Sequence, residues 1–150
     1  GKGVGVPLDS EILTLPLGKG EVLREGSDLS MIAVGCTVYP ALKAAQKLAE
    51  EGIEAKVINA RFIKPLDAEL ILSTAAAVKK ILTIEENVLD GGFGSAVLEL
   101  LAAKGVTGTT VRRLGIRDEF IEHAKQSELR AQLGLDEEGI LRTAREMLKA

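Results

Sequence analysis

Gly20-Glu21-Val22-Leu23-Arg24-Glu25-Gly26-Ser27-Asp28-Leu29-Ser30-Met31-Ile32-Ala33-Val34 is the stretch on which the fold turns. Gly20 to Arg24 has the length of a short strand, and Leu29 to Val34 is an apolar run that suits a buried one. Only Glu25-Gly26-Ser27-Asp28 lies between them, too few residues for a crossover helix. The spacing therefore predicts a hairpin, with the first strand antiparallel at the edge of a sheet.

Downstream, strand-length and helix-length apolar periods alternate. Thr37 is placed to cap a helix whose Val38, Ala41, Leu42, Ala45, Leu48 and Ala49 share one face, and Gly52 closes it. Ala55 to Ala60 reads as a strand, and Arg61-Phe62-Ile63-Lys64-Pro65 follows, with the proline keeping Lys64 out of helical geometry. Asp67 caps the next helix, with Leu66 and Ile71 at the spacing of a hydrophobic staple. Lys80 to Ile84 is a strand, Gly92 to Lys104 a helix closed by Gly105, and Thr109 to Leu114 a strand. A short helix at Ser127 to Leu133 and a longer one from Asp136 complete the chain. Strands separated by helices run parallel through right-handed crossovers. The order predicts an α/β fold: a three-layer α/β/α sandwich around a five-stranded mixed sheet with one antiparallel edge strand.

Composition narrows the function. The 150 residues are 46% apolar and 27% charged, enough for one buried core. A net charge of −3 with dispersed basic residues argues against nucleic-acid binding, and 3% aromatics without tryptophan removes stacking platforms. Cys36 is the single cysteine, which excludes an internal disulfide and paired-cysteine zinc spacing and points to the cytoplasm. No run reaches the roughly 18 apolar residues of a membrane span, and the glycine-rich start lacks signal-peptide organisation. The expectation is a domain with neither nucleic-acid nor membrane partners.

Ligands of open parallel sheets bind beyond the carboxyl ends of the strands, so candidates are sought in the loops there. Cys36 at a helix start is either a nucleophile of lowered pKa or, without an evident base, a small residue filling a turn. Glu85 and Glu86 supply either a general acid or base or ion pairs with Arg61 or Arg117. His123 is the sole histidine and sits among polar residues, which favours a surface or capping role over metal binding. Asp90-Gly91-Gly92-Phe93-Gly94-Ser95 leads into a helix; its glycines either bare amides to an anion or admit another backbone closely, from this chain or a partner. The spacing is neither G-x-G-x-x-G nor a phosphate-binding P-loop.

The succession GKG at 18–20, AVGCTVYPALKAAQKLAEEGI at 33–53, VINARFIKPLD at 57–67, TIEENVLDGGFGSAV at 83–97 and LGIRDEFIEHAKQSELRAQLGLDEEGI at 114–140 resembles the carboxyl-terminal domain of the 1-deoxy-D-xylulose-5-phosphate synthases. The likeness covers nearly the whole chain. Transketolases and the β subunits of 2-oxoacid dehydrogenases share the architecture and part of the pattern; in the latter the domain acts as an interaction module. The resemblance implies a transketolase-type transferase that uses thiamin diphosphate and Mg²⁺ to condense pyruvate with D-glyceraldehyde 3-phosphate, with loss of CO₂. The product serves isoprenoid, thiamin and pyridoxal phosphate synthesis.

In that family the cofactor lies between two upstream domains. The Gly-Asp-Gly signature of the Mg-diphosphate site has no match here, since Asp90-Gly91 follows Leu89 and no asparagine comes after Asn87. The resemblance thus implies no catalytic, cofactor-binding or metal-ligating residue in this chain, and an inactive isolated fragment. It implies residues 1–17 as a connection from a missing upstream domain and 18–150 as the carboxyl-terminal domain, supporting the other domains and a homodimer. Glu86, Gly92 and Gly94 become interface candidates. Ala124 stands where relatives commonly carry glycine after the residue matching His123.

Overall fold

A computed structural model describes residues 14–149. Most of the connection expected at 1–17 therefore lies outside the described residues; its last four, Thr14 to Leu17, are exposed. The strands are β1 (Glu21–Arg24), β2 (Leu29–Ala33), β3 (Ala55–Asn59), β4 (Lys80–Val88) and β5 (Thr110–Ile116). The helices are α1 (Val38–Glu50), α2 (Ala68–Ala77), α3 (Phe93–Ala103), α4 (Gln126–Leu133) and α5 (Glu137–Lys149). The sheet order is β1-β3-β2-β4-β5, with β1 antiparallel and the other four parallel.

β2 is central and buried along its whole length. Its pleat sends Leu29, Met31 and Ala33 into a core with Leu48 of α1 and Ile140, Leu141 and Met147 of α5. Ile32 points the other way, into a core with Ile71 of α2 and Phe93 and Val97 of α3. Two cores on opposite faces of one sheet make the expected three layers.

The expected hairpin does not form. β1 is the antiparallel edge strand, but it pairs with β3, Glu21 opposite Asn59 and Val22 opposite Ile58. The four-residue link passes across the start of β3 to reach β2. Gly26 makes the crossing possible, because a Cβ there would lie 2.4 Å from the Ala55 carbonyl carbon and the Lys56 nitrogen. Asp28 N donates to Glu54 O at 3.0 Å, Glu54 N donates to the Asp28 carboxylate at 2.7 Å, and Arg24 donates to Ala55 O at 2.7 Å. These bonds tie the link to the lead-in of β3.

Two smaller expectations also change. Thr37 does not cap α1: its hydroxyl donates to Val34 O and Ile84 O, fastening the β2–α1 turn to β4. β4 runs four residues past Ile84, so Glu85, Glu86 and Asn87 belong to a strand and not a loop. A register shift between Ile84 and Val88 carries the pairing to Ile116, and Leu89 N donates to Ile116 O at 2.8 Å. Asp67 does cap α2, accepting from Leu70 N at 3.2 Å.

Candidate functional site at the carboxyl edge of the sheet

The chain leaves β2 toward one face of the sheet through α1 and leaves β4 toward the other through α3. Adjacent strands whose connections part in this way open a crevice at their carboxyl ends, the usual ligand position of an open α/β sheet. Here the crevice holds about 340 Å³ and is lined by Val34, Gly35, Cys36, Ile63, Glu85, Glu86 and Asn87.

Glu85 is 1% exposed. A buried carboxylate requires partners, and both oxygens have them: Phe93 N donates at 2.7 Å and Gly94 N at 2.8 Å. Glu85 thus caps α3 from eight residues upstream, where Gly92 at the cap position has no side chain to do so. The negative charge also suits the positive end of the helix. Gly91 N donates to Ser95 Oγ at 3.2 Å and Gly92 N to Leu89 O at 3.4 Å, so every amide of Gly91 to Gly94 is taken within the chain. A diphosphate group needs free amides or cations, and this turn instead meets it with a carboxylate. The residues do not fit the cofactor implied by the synthase resemblance.

The two inner glycines serve close packing. A Cβ on Gly92 would lie 2.3 Å from Val88 O and 2.4 Å from Glu85 Oε2, and one on Gly94 would lie 2.6 Å from Thr83 Oγ1. Arg113 of β5 completes the turn, donating to Leu89 O at 2.7 Å and Ser95 Oγ at 2.8 Å.

Glu86 points to the other side of the strand end. Arg130 of α4 holds it with two bonds, Nε to Oε1 at 2.8 Å and Nη2 to Oε2 at 3.2 Å. Cys36 Sγ donates to the same carboxylate. The Arg130 bonds hold the Glu86 carboxyl below its usual range. Cys36 is exposed yet moves the opposite way: desolvation, then the neighbouring carboxylate, pushes its thiol up. A thiol so placed is neither a readied nucleophile nor a buried turn filler; it is a proton donor to an ion pair. Neither carboxylate is free for acid–base work, and the partners differ from those expected. Arg61 pairs with Glu21 of β1 at 2.5 Å, Arg117 is exposed, and His123 lies on the surface. Among the described residues no three of His, Cys, Asp and Glu converge as metal ligands.

Arg130 and Arg113 were not among the residues singled out by spacing. Arg130 lies 44 residues from Glu86 and Arg113 18 from Ser95, so no local motif marks them.

The family described as "Transketolase, C-terminal domain" matches residues 18–140. The chain belongs to this family. The transketolase C-terminal domain is 57% identical over 150 residues to 1-deoxy-D-xylulose-5-phosphate synthase 1 of Geobacter sulfurreducens, covering 100% of the chain and 24% of that protein. It is 58% identical over 148 residues to 1-deoxy-D-xylulose-5-phosphate synthase of Syntrophus aciditrophicus, covering 99% of the chain and 23% of that protein. The domain therefore spans about a quarter of the length of these curated relatives. A solved structure described as "Split gene transketolase, inactive beta4 tetramer" superposes with a TM-score of 0.84 at 33% identity, covering 91% of this chain and 44% of that one. The family and the mixed-sheet architecture expected from the sequence both stand.

Proposed function

We propose that this transketolase C-terminal domain belongs to a thiamin-diphosphate- and Mg²⁺-dependent enzyme that condenses pyruvate with D-glyceraldehyde 3-phosphate, releasing CO₂ and forming 1-deoxy-D-xylulose 5-phosphate. The identity of 57–58% to two such synthases over essentially the whole chain carries this reading, against 33% to the split transketolase. The domain's own part is mechanical. Its strand-end carboxylates are consumed by its fold, Glu85 in capping α3 and Glu86 in tying β4 to α4. A rigid rim results, with Glu86 at its surface and Gly92 and Gly94 shaping the turn beneath. That rim is the contact candidate toward the other domains and a second subunit, in a cytoplasmic homodimer. No helix among the described residues is long and apolar enough to cross a membrane.

The test is an assay of the full-length gene product for CO₂ release from pyruvate. Release that depends on glyceraldehyde 3-phosphate and thiamin diphosphate supports the reading. A product that instead transfers two-carbon units between sugar phosphates without consuming pyruvate makes the parent a transketolase and overturns it.

A further inference from the structure

The segment 117–134, which carries α4, runs between two fixed ends. Before it, Ile116 O accepts from Leu89 N at 2.8 Å, and after it Leu135 is fully buried. Between those ends the segment is thinly held. α1, α2, α3 and α5 each bury at least three residues, whereas α4 buries none. Leu133 is only partly buried against the core, and Phe120, in the lead-in to α4, is 95% exposed. Open volumes flank α4 where a packed interior would leave none. One of about 450 Å³ lies toward α1, lined by Tyr39, Pro40, Ser127 and Arg130 among others; one of about 320 Å³ lies toward β5 and α5, with Leu114, Leu133 and Thr143 in its wall. The polar contacts converge on one point. Apart from Leu135 N, which closes the end of α4 on Arg130 O at 2.8 Å, every hydrogen bond from the segment to the rest of the described residues ends on Glu86 or on the Cys36 thiol beside it. Arg130 grips the carboxylate at 2.8 and 3.2 Å, and the Gln126 amide faces it as well. The remaining bonds stay inside the segment: Glu119 N to Arg117 O, Leu129 N to Lys125 O, Gly134 N to Ala131 O and Lys125 with Glu128.

We infer that segment 117–134 is a strap fastened across the carboxyl edge of the sheet by the Glu86–Arg130 pair, and that it opens ahead of the sheet when that pair parts. Gly134, at φ +70°, forms the turn at its far end. A partly exposed ion pair contributes modestly, so the fastening is releasable, and a segment with few buried contacts opens at a lower cost than the strands beneath it. A cation brought to Glu86 by a neighbouring surface competes with Arg130 for one carboxylate. Contact at the rim and closure of the strap are therefore coupled. The inference stands on the geometry of this chain and does not draw on the synthase reading.

Hydrogen exchange of the full-length polypeptide, read by mass spectrometry on peptides spanning α4 and β4, tests it. In the native chain the helical amides of α4 from Leu129 onward should exchange at least about tenfold faster than those of β4. Arg130→Gln should speed α4 several-fold further and leave β4 unchanged. Arg130→Lys, which keeps the charge and loses the fork, should fall between the two. Arg145→Gln is the control: it removes the two-pronged pair of α5 with Glu51 and should leave α4 as it was. Arg130 and Arg145 both lie at the surface or partly exposed, so the fold stands in every variant. Exchange of α4 at the rate of β4, no acceleration by Arg130→Gln, equal acceleration of β4, or the same acceleration of α4 by Arg145→Gln overturns the inference. The readout is independent of activity, so loss of the synthase reading and loss of the strap are separately visible.

Discussion

Gly92 has no room for a methyl group, because Val88 O and Glu85 Oε2 already stand where it would go. Gly92→Ala should cost about 2–3 kcal/mol, read as a lowered urea midpoint, since neither the strand carbonyl nor the buried carboxylate has slack. Glu85→Gln keeps the shape but leaves one α3 amide facing an NH₂ group; a loss of about 1–3 kcal/mol is expected in the same measurement. An unchanged midpoint in either variant would contradict the capping role. At Glu86 the test is chemical. Desolvation and the Glu86 carboxylate both raise the Cys36 thiol, while Arg130 acts against them. Glu86→Gln removes the raising carboxylate and frees the lowering cation, so alkylation of Cys36 at pH 8 should become several-fold faster. An equal or slower rate would show that Glu86 does not govern the thiol. Sequence spacing drew attention to Glu85, Glu86 and the glycines but not to what they bind. Glu85 reaches amides eight and nine residues on, and Arg130 returns from 44 residues away. Such partners are set by topology and carry no local signature.

Among the elements, the order of apolar runs and periods located the five strands and five helices of the described residues to within a few residues; α1 and α5 bury one face on a helical period, while β2 was marked by an unbroken apolar run. The partner of β1 was not legible in the same way. A four-residue gap permits a hairpin, yet β2 is buried along its length and takes parallel neighbours on both sides. Gly26 did not mark the difference, since glycine is equally common in hairpin loops; its close approach to Ala55 and Lys56 is seen only in the fold. Gly26→Ala should destabilise the fold by about 1–3 kcal/mol and speed hydrogen exchange of the β1 amides before those of β4. Uniform acceleration would argue against a local crossing. The joint between Gly20 and α2 titrates. Burial raises the Asp67 carboxyl, but the amides of Leu70 and Gly20 and the Lys19 charge outweigh it and hold the group below its usual range. A depressed folded value means that the Asp67 contribution is full above the unfolded pKa of about 3.9 and is lost as pH falls through the folded value. Asp67→Asn should therefore be less stable than the native chain at pH 6, with the gap closing toward pH 3. A gap that stays constant over that range would exclude the charge as its source.

For the whole molecule, the sheet carries its carboxylates at the edge where an α/β protein usually binds ligands, and the fold uses both of them. Glu85 takes the helix amides that would meet an anion, and Glu86 takes the nearest cation. On the proposed reading, a domain whose strand-end carboxylates are taken in this way supports a site held elsewhere in the polypeptide, and it spans about a quarter of the length of its synthase relatives. The family was legible in the sequence because its motifs are packing motifs: Gly92 and Gly94 admit close contacts, and Asp67 joins the lead-in to α2. Calorimetric titration of the 150-residue chain with thiamin diphosphate in the presence of Mg²⁺ bears most directly on this account. No heat of binding is predicted; saturable binding at micromolar concentrations would mean that the strand-end amides and cations are free for an anion after all, and would contradict it.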